Sequence, residues 1–399
     1  MNKIFLWRFF IVCLFVIIMG ADLHTATAIP AMPTATIGLT VTKVAAGGYH
    51  TCALYRNGTV KCWGKNTFGQ IGDGGTTSRK TPTSVSGLAA TAVDIAGGQN
   101  HTCAVLSTGA VQCWGYNDDG QLGTGGTTDS SVPKTVSGLS GTATAVTAGD
   151  AHTCALLSTG AVQCWGLNST GQLGNGTTAD STTPVSVSLS NMAVAIDVGG
   201  YHTCALLSTG SLWCWGNNAW GQLGIGTTTS SSNPQMVADL STTVMHFSAG
   251  GYHTCAGTNT GNVECWGNND SGELGNDDTT MDFASPYKVI HYSGTDSWSG
   301  ASMAEASGQG YTCAMSDSGV VDCWGNNYSG ELGNNSNTDS TYPVTVSGFS
   351  NADVITAGDH HNCALLRTGT VKCWGMNNYG QLGDGTATKS NTAVSVTGL

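Results

Sequence analysis

Seven times along this chain a cysteine is followed ten positions later by a second cysteine, and each second cysteine precedes Trp-Gly. The pairs are Cys52/Cys62, Cys103/Cys113, Cys154/Cys164, Cys204/Cys214, Cys255/Cys265, Cys313/Cys323 and Cys363/Cys373. Trp63, Trp114, Trp165, Trp215, Trp266, Trp324 and Trp374 follow them. Such pairs can hold a metal or close disulfides. Nine intervening residues, with no second pair close in sequence, do not match the spacing of zinc ligands. Structural disulfides are expected instead, each closing a loop of roughly ten residues and worth about 2–3 kcal/mol in the chain-entropy model. Six units also carry a histidine two residues before the first cysteine: His50, His101, His152, His202, His253 and His361. The sixth unit has Tyr311 there. A phenol keeps a hydrogen bond but ligates metal poorly, so a hydrogen bond repeated inside each unit is expected rather than a ring of ligands or bases. Asn117-Asp118-Asp119-Gly120 and Asn269-Asp270-Ser271-Gly272 resemble calcium loops faintly. They lack the alternating carboxylates and closing glutamate of that motif and read as turns. No Ser/His/Asp set, nucleotide-binding loop or acid dyad stands out, and the chain is not expected to be an enzyme or to carry a cofactor or metal.

The elements that position these residues follow from the period. First cysteines are spaced by 51, 51, 50, 51, 58 and 50 residues, the mark of a repeat architecture. In the third unit Cys154 to Leu157 reads as a strand, Ser158-Thr159-Gly160 as a turn, and Ala161 to Trp165 as the returning strand. Counting outward from that turn sets Cys154 opposite Cys164, and cross-strand neighbours lie within disulfide reach. Two further short strands, Pro184 to Ser188 and Val194 to Val198, bring the unit to four, with no helical periodicity. Four-stranded sheets repeated radially make a β-propeller, here all-β with seven blades over residues 37–399. The strand-like stretch Leu39 to Ala45 and the end of the chain at Thr397-Gly398-Leu399 look like complementary parts of one unit. Pairing of the N- and C-terminal strands is therefore expected to close the ring and hide two sheet edges.

Composition narrows the setting. The formal charge is -12, with thirteen Lys and Arg against twenty-five Asp and Glu, which leaves no basic patch for nucleic acid. Lys3 and Arg8, the apolar run Phe9 to Met19 and the small-x-small site Ala26-Thr27-Ala28 read as a secretory signal peptide, residues 1–28. Residues 29–36 form a short linker. The run is too short for a membrane span, which needs about 20 residues. A secreted, extracellular or periplasmic monomer with no membrane attachment after cleavage is expected, and an oxidising compartment suits the paired cysteines.

The string Gly-x-x-His-x-x-x-Leu, followed by Gly-x-Val-x-x-Trp-Gly-x-Asn-x-x-Gly-Gln-Leu-Gly, resembles the repeat of the regulator of chromosome condensation family. It stands here as Trp165-Gly166-Leu167-Asn168-Ser169-Thr170-Gly171-Gln172-Leu173-Gly174 and recurs in all seven units, with Glu273 and Glu331 for the glutamine and Ile71 for the leucine. The resemblance implies a seven-bladed propeller, though not one activity. Members of that family include nuclear guanine-nucleotide exchange factors and protein-binding modules, some of them secreted inhibitors. An export signal, an acidic balance and two cysteines per unit set this chain apart from the exchange factors.

The strongest functional signal is variation at fixed repeat positions. A hairpin returns to the end it left, so the loop before each first cysteine and the loop after each Trp-Gly share one face. Three residues before the first cysteine stand Tyr49, Asn100, Ala151, Tyr201, Tyr252, Gly310 and His360. After Trp-Gly stand Phe68, Tyr116, Trp220, Tyr328 and Tyr379. Large aromatics in polar, Gly-rich loops point to a contact surface for a protein partner. An insertion between the fifth and sixth units, within Ile290 to Ala306, adds Tyr292, Asp296 and Trp298. In the exchange factors an inserted wedge contacts the GTPase, and a tolerated surface loop is the plainer alternative here. Protein binding is the leading expectation. Regulation of a small GTPase and stacking of sugar rings on the aromatics are the alternatives.

Overall fold

The computed structural model describes residues 40–290 and 308–399. Seven antiparallel sheets succeed one another along the chain, six of four strands and one of three among the described residues, and no helix occurs among them. The chain is thus an all-β, seven-bladed propeller. In blade three the strands are Ala143–Ala148, His152–Leu157, Val162–Gly166 and Ser181–Ser186, paired in sequence order. The hairpin turns at Gly160, whose φ of 79° suits a residue without Cβ. Leu157 N–H donates to Ala161 O at 2.8 Å across it.

Cys154 faces Cys164 in the register, and the same pairing recurs in every blade. All seven expected disulfides form, each between the two middle strands of one blade. Cys52 joins Cys62, Cys103 joins Cys113, Cys154 joins Cys164 and Cys204 joins Cys214. Cys255 joins Cys265, Cys313 joins Cys323 and Cys363 joins Cys373. The Cα–Cα distances are 4.0–4.1 Å, the close approach of directly opposed residues.

The expected closure by the terminal strands does not occur. The first strand, Val41–Ala46, belongs to blade one, and the last, Ser390–Ser395, to blade seven. Each complete sheet takes four consecutive strands, beginning with the one ahead of its own cysteines, so no blade is left for the two ends to share. The ring closes by packing. Val41, Val44, Tyr55 and Trp63 of blade one share a core with Cys363, Leu365, Val371 and Cys373 of blade seven. The other junctions are built alike. Between blades three and four, Cys154, Val162 and Cys164 meet Ala205, Leu207 and Trp215. The middle strands are sandwiched on both sides by neighbouring blades, which is why His152–Leu157 is buried without alternation.

A polar belt crosses the same junctions, and it corrects a second expectation. The repeated histidine bonds between blades, not within one. His202 Nε2 lies 2.8 Å from Thr254 Oγ1 of the next blade, and His361 Nε2 lies 2.8 Å from Thr51 Oγ1, across the closure. Each threonine also donates to a carbonyl of the blade before it, as Thr254 does to Gln222 O at 2.8 Å. The hydroxyl proton is therefore committed, and the histidine donates from Nε2. Its tautomer is neutral, with Nδ1 buried and unpartnered in all six. Trp266 Nε1 donates to that same Gln222 O at 2.9 Å, and the other six tryptophans repeat the contact. In blade six the Tyr311 hydroxyl donates instead to Gly358 O or His361 O, each at 2.9 Å.

Candidate functional site

One face of the ring gathers the variable loops. The residue after each Trp-Gly donates its N–H to the carbonyl three residues before the first cysteine of the same blade: Lys65 to Tyr49, Tyr116 to Asn100 and Asn217 to Tyr201, at 2.8–2.9 Å. This pairing extends the hairpin ladder past the cysteines and carries both loops to the same end. The repeated Asn-x-x-Gly segment shapes the second loop. Asn117 Oδ1 accepts from Leu122 N–H, and its amide donates to Gly126 O and Thr128 O. Asn269 does the same with Leu274 and Asp278. Among the described residues no group of three or more His, Cys, Asp or Glu is placed to hold a metal.

The cysteines lie behind this face and take no part in it. Cys52, Cys103, Cys154, Cys204, Cys255, Cys313 and Cys363 sit within the second strands, deep in the junctions between blades. Cys62, Cys113, Cys164, Cys214, Cys265, Cys323 and Cys373 sit at the middle of the third strands, without solvent exposure. Buried, oxidised sulfur offers neither a thiolate nor a contact surface, so these fourteen residues position the site and form no part of it.

The structure brings most of the expected aromatics into two groups. Tyr379 of blade seven meets Tyr49 of blade one edge-on at 5.9 Å, and Phe68 of blade one meets Tyr116 of blade two at 4.8 Å. Lys65 sits among them, its Nζ 5.4 Å from the Tyr49 ring, 5.5 Å from Phe68 and 5.8 Å from Tyr379. It also donates to Asn100 Oδ1 at 3.0 Å. Burial holds this ammonium below its usual value. The second group is Tyr201 of blade four stacked on Tyr252 of blade five, with centroids 6.2 Å apart and planes at 19°. Trp220 and Tyr328 stand outside both groups, 38% and 77% exposed, and Tyr379 is 40% exposed. Lys389 Nζ lies 4.9 Å over the Tyr328 ring. Trp298 and its insertion lie outside the described residues.

Sequence reasoning missed Lys65, although it is the one basic residue directly after a Trp-Gly. It also missed the ring of residues immediately inside the aromatic rim: Gly48, Gln99, Asp150, Gly200, Gly251, Gln309 and Asp359. Their backbone N–H groups bond from blade to blade around the channel mouth. Gly48 donates to Gly98 O, Gln99 to Gly149 O, Gln309 to Asp359 O and Asp359 to Gly48 O, at 3.1–3.2 Å. Behind this mouth runs a central channel of about 480 Å³ lined by the first strands of the blades. In it Lys43 pairs with Asp94 at 2.6 Å, and Asp94 accepts from Val146 N–H at 3.0 Å. Asp197 accepts from Thr147 and from Ala249 N–H. These acceptors cover the free N–H edges of the neighbouring first strands.

The mouth holds two acids whose ionisation burial disfavours. Burial, and then Asp359, push the Asp150 carboxyl up to about 7. Burial also raises Asp359, with His360 and Lys65 pulling it partly back. His360 Nδ1 in turn faces Glu331 Oε1 at 3.4 Å, and despite its burial that carboxylate raises it.

Comparison with known proteins places these features in a family. The RCC1-like domain model matches residues 91–399, and the regulator of chromosome condensation (RCC1) repeat matches 41–70 and 57–105. The Arabidopsis thaliana ultraviolet-B receptor UVR8 is 37% identical over 136 residues, 33% of this chain and 31% of that protein. The chain thus spans under a third of that receptor's length. Human WBSCR16 superposes with a TM-score of 0.76 at 22% identity, covering 85% of this chain and 94% of that one. Prp20p from Saccharomyces cerevisiae, described for its binding to Gsp1p and histones, superposes at 0.70 with 22% identity and 80% coverage of each chain. At such identities the two structures speak to the fold alone.

Proposed function

The chain belongs to the RCC1-like propeller family, and on that premise we propose that it is an exported protein-binding module that docks its partner on the aromatic loop face. The observation that carries this reading is the grouping of Tyr49, Phe68 and Tyr379 around Lys65, with Tyr116 packed on Phe68, across three consecutive blades, together with the exposure of Trp220 and Tyr328 on other blades. Rigid aromatics on tethered loops give large contact area at little entropic cost, and such residues dominate binding hot spots. The binding of Gsp1p and histones by Prp20p supports protein partnership as a use of this fold, while fold alone does not transfer the partner. Export rests on the signal-like segment 1–28 together with seven disulfides, which suit an oxidising setting and would not persist in the cytosol. The same disulfides weigh against regulation of a cytosolic GTPase.

The test is affinity capture of partners from the native extracellular fraction with the wild-type chain and with Phe68→Ala/Trp220→Ala/Tyr379→Ala. The reading expects the triple variant to fold normally and to lose its partner. Undiminished capture would refute the choice of face.

A further inference from the structure

We infer that the channel mouth at the centre of the aromatic face is a seat for a cationic side chain, the guanidinium or ammonium of a basic residue that the partner inserts between Asp150 and Asp359. This deepens the proposed docking face and rests on it.

Three observations converge. First, the Asp359 carboxylate is only 8% exposed, yet its Oδ2 has no hydrogen-bond partner. A buried carboxylate oxygen without a donor is costly, and a bound cation is one way to satisfy it. The side chain leans over Gly48 of the next blade, where a Cβ would lie 2.9 Å from Oδ2. Asp150 leans in the same way over Gly200, where a Cβ would lie 3.2 Å from its Oδ2. Glycine at both positions leaves each carboxylate room against the neighbouring blade, and both aspartates line the channel.

Second, the two acids act on the same space. The charge of Asp359 disfavours ionisation of Asp150, and among the described residues no cation offsets that as His360 and Lys65 do at Asp359. The phenols of Tyr49, Tyr201 and Tyr252, from blades one, four and five, are all pushed up in part by both carboxylates. Asp150 of blade three and Asp359 of blade seven both line the one channel.

Third, the rim selects the kind of cation. Tyr49, Tyr201 and Tyr252 each directly follow a mouth residue. Tyrosine faces attract guanidinium and ammonium groups, and two carboxylates supply acceptors for their N–H donors. A divalent metal wants six or more oxygen ligands gathered closely, and among the described residues no such cluster of acids exists. The net charge of -12 favours a basic partner in the long range as well.

The test uses the intact mature chain with aspartate carboxyl and tyrosine ring resonances followed by NMR. The probes are N-acetyl-arginine methylamide, its neutral analogue N-acetyl-citrulline methylamide, and calcium and magnesium chlorides. The inference expects the arginine probe to shift the Asp150, Asp359, Tyr49 and Tyr201 resonances and the citrulline probe not to. Asp150→Asn/Asp359→Asn should weaken the arginine probe by about tenfold or more, the loss of charge-assisted hydrogen bonds. Equal response to both organic probes, no response to either, or a response to the metals with the arginine probe inert would each overturn it. The wild-type comparison stands even if the double variant folds poorly. In partner capture, loss on the aromatic triple substitution with an unaffected Asn/Asn variant sinks this inference alone. Capture unaffected by the aromatic substitutions sinks the docking face itself.

Discussion

Acid should attack this fold through its histidine belt, and one substitution isolates the effect. His202 is fully buried, donates to Thr254 and is held at about 3, first by burial and then by His152 and His253. A base with a depressed folded value stabilises the fold above its ordinary value of 6.5, and that contribution is lost as pH falls from there toward about 3. At about pH 5 the unfolded chain gains roughly 2 kcal/mol by protonating this ring, while the folded chain keeps it neutral. Five other histidines behave alike, His50, His101, His152 and His361 at about 3 and His253 at about 4. Buried acids such as Asp150 and Glu273, both pushed up to about 7, work in the opposite direction, so the whole-protein pH profile mixes signs. His202→Gln removes one titration and leaves the rest. Glutamine can still donate to Thr254 but loses the ring's packing. Its penalty in urea unfolding, with disulfides intact, should therefore shrink by about 2 kcal/mol between pH ~7.5 and pH ~5. An equal penalty at both pH values, or a folded-state His202 ring titrating near its ordinary value by NMR, would refute the reasoning.

Two more perturbations probe the scaffold. Cys204→Ala/Cys214→Ala opens one ten-position loop and should cost about 2–3 kcal/mol, read from the denaturant midpoint; digestion of the unreduced chain should return each of the seven pairs within its own blade. Gly199→Ala drives a methyl into the His202 ring and the Gly250 carbonyl, and should cost about 3 kcal/mol or more. Gly126→Ala, which meets nothing within 4 Å, should change stability by less than about 0.5 kcal/mol in the same assay.

Legibility in the sequence followed the range of the interactions. The Cys154–Cys164 pairing was readable because both residues hang on one three-residue turn, and local register needs no distant information. The same holds for Cys62, Cys113, Cys214, Cys265, Cys323 and Cys373, each opposed to the cysteine ten positions before it. The face shared by Tyr49 and Phe68 was readable for the same reason. The partner of His202 was not, since Thr254 lies 52 positions on and in another blade. The aromatic pairs Tyr49–Tyr379 and Tyr201–Tyr252 likewise join residues that meet only when blades pack. Lys65 looked like an ordinary surface lysine until three rings from two blades closed around it.

The repeated order of turn, cysteine, tryptophan and glycine determined by itself that this chain makes seven like sheets, each stapled across its middle strands, because those features act within about ten residues. Where one sheet ends and the next begins was settled only by packing. The strand ahead of each cysteine pair can bury its apolar side on either neighbour, and the assembled ring commits it to the sheet that follows it in sequence. That choice leaves the first and last strands in separate blades. It also brings Asp150 and Asp359, ordinary in their own loops, to the lining of one channel.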